Sequence, residues 1–296
     1  MPPVSRKALL PLIKVALRED RARQDLTSRA VLPASLRIRT RIVAKSPGIL
    51  AGVKLAALVF TTLDPSLRCR LHRHSGATLK QGTVILTVEG RARSIFAAER
   101  TALNFLGHLS GIATLTRTFM DRARGTRARI LDTRKTLPGL RALEKDAVRA
   151  GGGMSHRSSL SDAILIKTNH IKAMAREAYL VKREACVEQA VRQAKRVANG
   201  KFVEVEVTNI SEFRVALRAR PRAILLDNWA ITDIRKAVRL RRTLHANTLI
   251  RFTQLEVSGG ITLANVRAIA RTGVDRISIG RLTHSAPALD MSLQVI

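Results

Sequence analysis

The chain has 296 residues, 46% of them hydrophobic, which is enough for one large core or two ordinary ones and unlike a disordered composition. Two cysteines, Cys69 and Cys186, exclude a disulfide framework, and no apolar stretch has the length of a membrane span or a clear leader, so we expect a cytoplasmic protein with no membrane partner. The net charge of +31 favours polyanionic partners, but the basic residues are spread along the whole chain and aromatic residues make up only 3%. We therefore expect no dedicated nucleic-acid partner, although most of the charge stays without a site-level explanation.

The first third of the chain has a mixed α and β pattern. Residues 36–42 alternate apolar and basic side chains, which predicts a half-buried strand. The run Val84–Val88 predicts a second strand, closed by Gly90. Apolar residues then recur at helical spacing up to Leu109, which predicts a helix with Gly111 just past its end.

From about residue 128 the pattern changes to short apolar runs that alternate with helix-like stretches. Strands that alternate with helices predict parallel βα units. Thr262 is a candidate N-cap for the last of these helices, and Gly273 follows that helix. Six strands fit either a barrel with weak or missing strands or an open sheet; the runs are 128–133, 163–167, 202–207, 223–228, 255–260 and 276–280.

Residues capable of chemistry stand at the ends of these predicted strands. Lys167 ends the second run, Glu206 lies near the end of the third, and Asp227 lies near the end of the fourth. An unpaired charge inside an apolar run is costly, so ordinary turn chemistry does not explain these residues. Because parallel α/β barrels build their active sites at the carboxyl ends of the strands, we interpret this edge as a barrel mouth.

The last two runs end in glycine-rich loops. Ser258, Gly259 and Gly260 stand before a predicted helix, and Gly280 follows the next strand. Glycines let a ligand approach the backbone, and a helix N-terminus attracts anions. A phosphate site is one interpretation, and ordinary βα turns, which also favour Gly and Ser, are the other.

Five cationic residues lie at the ends of the first two runs or shortly after the glycine run at 151–153. Arginines and lysines that converge on one mouth would bind carboxylates or phosphates, arginine often through two hydrogen bonds. In a chain this basic, a solvated basic face is the alternative. The five residues are Arg134, Lys135, His156, Arg157 and Lys167.

Two carboxylates stand out in a chain that is poor in acids. Glu206 and Asp227 lie at neighbouring predicted strand ends and could hold Mg²⁺, with waters and substrate oxygens completing its shell. They could also hold ribose hydroxyls. The alternative is that they only pair with Lys167 or Arg134 and neutralise the mouth.

Taken together, the motifs resemble one family, the quinolinate phosphoribosyltransferases, from about residue 19 to 290. DTRKT with PGLR, GGG with HR, and the SGGIT…THSAPALD ending are jointly specific, and they occur in the family's order. Further segments that carry the resemblance are DLTSRAVLP, ERTALNFLGHLSGIAT, AILIKTNHI, EVEV and LLDN. The resemblance implies an α/β fold with an N-terminal α/β sandwich at 1–112, an open, incomplete α/β barrel at 113–284, and a segment at 285–296 that returns to the first domain.

The resemblance also implies an activity. Members of the family transfer a phosphoribosyl group from phosphoribosyl pyrophosphate to quinolinate with decarboxylation, giving nicotinate mononucleotide for NAD synthesis, and they work with Mg²⁺ as homodimers or larger assemblies. Residues that match those binding the carboxylates of quinolinate are Arg134, His156, Arg157 and Lys167. Residues that match those serving phosphoribosyl pyrophosphate and Mg²⁺ are Lys135, Glu206, Asp227, Ser258, Gly259, Gly260 and Gly280. By the same resemblance Lys135, Lys167, Glu206 and Asp227 are the catalytic candidates, and Arg100 would reach the site from the neighbouring subunit.

Three positions depart from the family's usual pattern: Ser155, Thr168 and Arg281. They bear on the fine geometry of the site and remove none of the charged residues named above. Two other interpretations stay open at this point. One is the related phosphoribosyltransferase-like protein of molybdenum-transport systems, and the other is a basic nucleic-acid-binding protein on a decayed enzyme fold.

Overall fold

A computed structural model describes residues 5–177, 183–246 and 253–296. The chain forms two compact units, and the first is built from three separate segments, 1–117, 135–153 and 281–296. The second unit comprises 118–134 and 154–280. The predicted domain boundaries at 112 and 284 do not include this return of 135–153 to the first unit. No helix in the described part of the chain combines the length and apolar character that a membrane crossing needs.

The first unit contains an antiparallel sheet, and the helix Val53–Leu63 packs on two of its strands. Its strands are β1 (Arg37–Ala44), β2 (Gly48–Ile49), β3 (Arg68–Leu71), β4 (Thr78–Leu79), β5 (Val84–Arg91) and β12 (Met291–Val295). The main sheet has the order β12-β1-β5-β3, and β2 pairs with β4. The helices are α1 (Arg6–Glu19), α2 (Leu26–Val31), α3 (Val53–Leu63), α4 (Ala92–Ala123), α5 (Arg141–Ala150) and α11 (Arg281–His284), with a 3₁₀ turn at Ala22–Gln24.

Both strands predicted in the first third are present, as β1 and β5, but two predicted ends are wrong. Strand β5 runs through Gly90 to Arg91, and Gly111 lies inside α4. The reason is packing: a Cβ at Gly111 would overlap the carbonyl oxygen of Pro287, and one at Gly107 would come within 2.9 Å of the Leu289 oxygen. These glycines allow the C-terminal segment to lie against the helix.

The second unit is built around one parallel sheet. Its order is β6-β11-β10-β9-β8-β7, so all six predicted strands are confirmed and β6 and β7 form the two edges. The strands are β6 (Arg129–Leu131), β7 (Ile164–Ile166), β8 (Val203–Val207), β9 (Ala223–Asp227), β10 (Gln254–Ser258) and β11 (Arg276–Ser278). The helices are α6 (Thr168–Glu177), α7 (Arg183–Val197), α8 (Ile210–Ala219), α9 (Ile231–Ala246) and α10 (Val266–Ala270). Of the helix-like stretch at 171–198, residues 178–182 lie outside the described residues.

The edge of β6 receives one further contact. Met154 forms a parallel bridge with Leu131, and the chain passes from there to His156. This places the segment that begins at Met154 beside the open sheet as a short additional element. The sheet is therefore an open, incomplete barrel, as the resemblance implied.

Strand β8 shows which face of the sheet carries polar groups. All five of its residues are buried, and Glu204 and Glu206 alternate with valines, so the two carboxylates share one face. Both Glu206 and, on β10, Glu256 are register partners of Leu225 on the strand between them. Buried acidic groups from β8 and β10, which are separated by β9, therefore lie on the same face of the sheet.

Candidate active site

The carboxyl ends of the parallel strands bring several predicted site residues to one edge of the sheet. Lys167 directly follows β7, Glu206 is the penultimate residue of β8, and Asp227 and Ser258 are the last residues of β9 and β10. Because the strands are parallel, these ends lie on the same side of the sheet. The structure thus groups the residues that the sequence placed at a barrel mouth.

Glu206 is held firmly, whereas Lys167 is not. The Glu206 Oε1 atom accepts hydrogen bonds from the main-chain N–H of Thr168, at 3.1 Å, and from its hydroxyl. The Lys167 Nζ atom lies 3.9 Å from Glu206 Oε2, with 53% of the lysine side chain exposed. The pairing of Glu206 with Lys167, one of the alternatives left open by the sequence, is therefore present, although solvent supports the ammonium group and the exposed ion pair adds little stability.

Asp227 and the glycine loop after β10 form a second group. The Ser258 Oγ donates to Asp227 Oδ1 at 2.7 Å, and Asn228 Nδ2 donates to Asp227 Oδ2 at 2.9 Å. Gly259 and Gly260 have φ values of +83° and +60°. A Cβ at Gly259 would overlap the Asn228 side chain, so this position requires glycine and leaves the main chain open to a ligand.

The regular part of the helix after this loop starts later than the sequence predicted, at Val266. Thr262 nevertheless makes the contacts of an N-cap: the Asn265 N–H donates to Thr262 Oγ1 at 3.3 Å, and the Val266 N–H donates to the Thr262 carbonyl oxygen at 3.0 Å. The Thr262 N–H donates in return to Asn265 Oδ1 at 2.8 Å, which completes a capping box. The capping role predicted for Thr262 is therefore confirmed, and it caps the turn that leads into α10. Gly280 lies shortly after the end of β11.

Arg134 and Arg157 form the cationic part of this unit. Burial lowers the pKa of the Arg157 guanidinium, and the positive charge of Arg134 lowers it further. Arg157 Nη1 donates to the Ala163 carbonyl oxygen at 3.1 Å, which fixes the position of the group. Arginine binds carboxylates through two parallel hydrogen bonds, so two arginines in one unit suit a ligand with two carboxylates.

His156 is tied to two carboxylates that the sequence analysis missed. Its Nε2 atom lies 3.0 Å from Glu204 Oε2 and 3.4 Å from Glu256 Oε1, and its main-chain N–H donates to Asp132 Oδ1 at 2.8 Å. Side chains two residues apart on a strand lie on the same face, so the sequence could have indicated both glutamates. Each stands two residues before a strand-end candidate, Glu206 or Ser258. Their meeting at one histidine depends on the curvature of the sheet.

The charges around His156 are strongly coupled. Burial opposes the ionisation of Glu256, but the bonds to His156 and Arg276 lower its pKa to about 2. Burial, together with the charge of Glu256, raises the pKa of Glu204. For His156, burial lowers the pKa and the two carboxylates raise it, with a net upward direction.

The two remaining predicted residues belong to the first unit. Lys135 is exposed, and its carbonyl oxygen accepts a hydrogen bond from Thr283 Oγ1 at 2.6 Å. It lines a cavity of about 350 Å³ together with His108, Thr283 and His284. Arg100 is exposed on α4, whereas Ala98 and Ala102 are fully buried, so its side chain leaves the packed face of the helix.

Comparison with known proteins gives a consistent result over the whole chain. Residues 25–110 and 112–294 match the models of the N-terminal and C-terminal domains of quinolinate phosphoribosyl transferase. The chain is 42% identical over 286 residues to nicotinate-nucleotide pyrophosphorylase [carboxylating] of Mycobacterium leprae, covering 96% of this chain and 95% of that one. It is 39% identical over 293 residues to quinolinate phosphoribosyltransferase [decarboxylating] 1b of Nicotiana tabacum, covering 96% and 81%. Its fold matches nicotinate-nucleotide pyrophosphorylase of Francisella tularensis with a TM-score of 0.87 at 36% identity, covering 99% and 98%.

Proposed function

The chain belongs to the quinolinate phosphoribosyltransferase family, and we propose that the strand-end residues of its second unit carry out the family's reaction. The enzyme transfers a phosphoribosyl group from phosphoribosyl pyrophosphate to quinolinate with loss of carbon dioxide, which yields nicotinate mononucleotide for NAD synthesis. The observation that carries the assignment of roles is the position of Lys167, Glu206, Asp227 and Ser258 at the carboxyl ends of four neighbouring parallel strands, where α/β folds bind their ligands. The names of the relatives favour this function over the molybdenum-transport interpretation, and the intact strand-end residues argue against a decayed enzyme.

Quinolinate carries two carboxylates, and the cations of the second unit suit them. Arg134 and Arg157 would each bind a carboxylate oxygen pair, and Lys167, half exposed at the end of β7, would complete the contacts. His156 belongs to the same region by the family resemblance. Such contacts hold the pyridine nitrogen in position for attack on the ribose C1.

Magnesium is the metal that the carboxylates of this edge fit. Glu206 and Asp227 offer hard oxygen ligands at neighbouring strand ends, and Asp227 is only partly buried, which leaves room for water and substrate oxygens. Both are held by hydrogen bonds from Thr168, Ser258 and Asn228, so they keep their orientation without a metal. When bound, Mg²⁺ would neutralise charge on the pyrophosphate group.

The remaining steps follow from the placement of the protein groups. The loop of Gly259 and Gly260 binds phosphate oxygens, while Glu206 and Asp227 stabilise the positive charge that develops at C1 as the bond to pyrophosphate breaks. A role for Lys135 toward the phosphates rests on the family resemblance alone. The pyridine nitrogen forms the new bond and becomes positive. That charge stabilises the electron pair left on the adjacent ring carbon when its carboxylate departs as CO₂, and the carbon then takes up a proton.

Assembly and location complete the proposal. We propose a homodimer, or a larger assembly containing it, in which Arg100 of one subunit enters the site of the other. Its support is the exposed position of Arg100 beside a fully buried alanine face. A cytoplasmic location is supported by the two cysteines, Cys69 and Cys186, which are both free thiols.

One assay tests the function directly. The purified protein is incubated with phosphoribosyl pyrophosphate and either quinolinate or nicotinate, with Mg²⁺ or with excess chelator, and nicotinate mononucleotide and CO₂ are measured. We expect equimolar products from quinolinate with Mg²⁺ and none from nicotinate, because a missing carboxylate leaves a guanidinium group desolvated and unpaired at a cost of about 2–5 kcal/mol. Equal rates with nicotinate, or no turnover of quinolinate, would overturn the assignment, and full activity in chelator would overturn the metal.

A further inference from the structure

Both ring nitrogens of His156 are already occupied within the protein. Its Nε2 lies 3.0 Å from Glu204 Oε2, and its Nδ1 accepts a hydrogen bond of 2.8 Å from the main-chain N–H of Arg157. The side chain is only 10% exposed. The imidazole ring is therefore bound on both sides and has no nitrogen directed at a ligand in solvent.

The groups that hold the ring are themselves fixed. Glu204 and Glu256 are fully buried on β8 and β10, and Arg276 Nε lies 2.5 Å from Glu256 Oε2. The Arg276 guanidinium also stacks on Phe202, 5.0 Å from the ring centre. His156 thus links the buried glutamates of the sheet, Glu204 and Glu256, to the segment that carries Arg157.

We propose that His156 is a positioning residue, clamped by Glu204 and Glu256, and that it holds the main chain of Arg157 so that this arginine meets a substrate carboxylate. The Arg157 segment has three anchors: the imidazole Nδ1 on its amide, Asp132 on the His156 amide, and the Ala163 carbonyl on its guanidinium. The first of these depends on the orientation of the ring, which Glu204 sets. This inference rests on the proposed function, since it deepens the account of how Arg157 binds quinolinate.

The position of the ring proton excludes metal binding by His156 together with Glu204 and Glu256. His156, Glu204 and Glu256 bring three potential metal-ligand atoms within 4.8 Å of one another. A metal bound to Nε2 would leave the ring proton on Nδ1. That proton would face the Arg157 amide proton, and Nδ1 could not accept the hydrogen bond from Arg157. The observed bond leaves Nδ1 as an acceptor and places the ring proton on Nε2, which faces Glu204.

Two substitutions at Glu204 test the inference by steady-state kinetics of the whole enzyme. Glu204→Leu removes the nearer of the two acceptors for Nε2 and leaves only Glu256, at 3.4 Å. We expect the KM for quinolinate to rise about tenfold, since a lost buried hydrogen bond has that order of effect. The kcat and the KM for phosphoribosyl pyrophosphate should change by less than about threefold. Glu204→Gln keeps the acceptor oxygen and should restore a KM close to that of the wild type. Glu188→Leu, at an exposed ion pair on α7, is the matched control.

A spectroscopic measurement separates positioning from direct contact without any substitution. In protein labelled with ¹⁵N-histidine, saturating quinolinate should leave both ring-nitrogen shifts of His156 unchanged. A large shift on binding, or a stoichiometric transition metal in the purified protein, would overturn the inference, and so would a wild-type KM in folded Glu204→Leu. If the wild type itself fails to convert quinolinate, the proposed function fails instead, so the two failures are distinguishable.

Discussion

Lys167 is the strand-end residue whose loss should harm catalysis without harming the fold. Its side chain is half exposed and its ammonium group lies 3.9 Å from Glu206, which keeps both of its hydrogen bonds from Thr168 when the lysine is removed. We expect Lys167→Ala to lower kcat/KM by about a hundredfold or more, because a charge contact to a desolvated substrate is lost. Turnover assays and thermal unfolding of the same preparation check both parts.

The matched control for that variant is Lys172→Ala, at an exposed lysine on the neighbouring helix α6. It removes the same charge from a position away from the strand ends and should leave turnover unchanged. Near-normal activity of Lys167→Ala would show that the substrate does not reach this end of β7.

Asp275 should make the stability of the second unit depend on pH in the acid range. Burial opposes its ionisation, but the N–H of Leu255, at 2.8 Å, and the guanidinium groups of Arg241 and Arg127 lower its pKa below the ordinary value. Its contribution is therefore present above the unfolded pKa of about 4 and lost as the pH falls through the lowered value. We expect Asp275→Asn to reduce the free energy of unfolding by about 2 kcal/mol at pH 7.

Urea unfolding at a series of pH values checks this expectation. The difference between wild type and Asp275→Asn should shrink as the pH falls below 4. Asp121→Asn, at an exposed pair with Arg124, should show almost no difference at any pH. A gap between wild type and Asp275→Asn that stays constant down to acid pH would contradict the assigned cause.

The residues at strand ends were accessible to sequence reasoning, because a charge after an apolar run is visible without a structure. Lys167, Glu206 and Asp227 were found in this way, and the structure places them at one edge of the sheet. Glu204 and Glu256 were missed. The alternation of side chains places each on the same face as a predicted residue, but only the curved sheet shows that both point at His156.

At the scale of the elements, α4 depends on two glycines in its interior. Ala in place of Gly within a helix normally gains about 1 kcal/mol of stability. At Gly111 the added methyl group would overlap the Pro287 carbonyl oxygen, so we expect Gly111→Ala to lower stability by about 2 kcal/mol through overpacking. Thermal unfolding should show a lower Tm, and Asn104→Ala, at an exposed position of the same helix, should not lower it. A raised Tm for Gly111→Ala would mean that the C-terminal segment does not lie against the helix.

Element types were predicted better than element ends. The six apolar runs gave six strands of one parallel sheet, because such runs need burial on both faces. The ends depended on contacts that no local pattern contains. Gly111 is an interior residue of α4 because the Pro287 carbonyl oxygen lies against it, and the regular part of α10 begins only after the turn that Thr262 caps.

At the scale of the whole molecule, the proposed sharing of sites between subunits has a direct test. If Arg100 acts in the neighbouring site, Arg100→Ala and Lys167→Ala homodimers should each be nearly inactive. Dissociating the two together and reassembling them should restore about a quarter of wild-type activity per mixed preparation, since half of the dimers are mixed and each mixed dimer has one intact site. Activity assays before and after reassembly measure this gain.

The formation of mixed dimers must be shown separately, for example with two affinity tags. A mixture of Lys172→Ala, which should be active, with Lys167→Ala, which should be nearly inactive, is the reference. It measures the activity that results when an active subunit is only mixed with an inactive one. Mixed Arg100→Ala and Lys167→Ala dimers that remain as inactive as their parents would show that Arg100 does not act across the interface.

The segmented construction of the first unit has a consequence for synthesis of the chain. Strand β1 pairs with β12, which lies far away along the sequence, so this sheet is completed only when Met291–Val295 have been made. The segment 154–280 of the second unit is then already available to fold. A nascent chain therefore displays the edge of β1 throughout the synthesis of the barrel, and an open edge of this kind is a template for wrong strand pairing. The unit that begins first is the unit that finishes last, and truncation of the final residues would leave that edge permanently exposed.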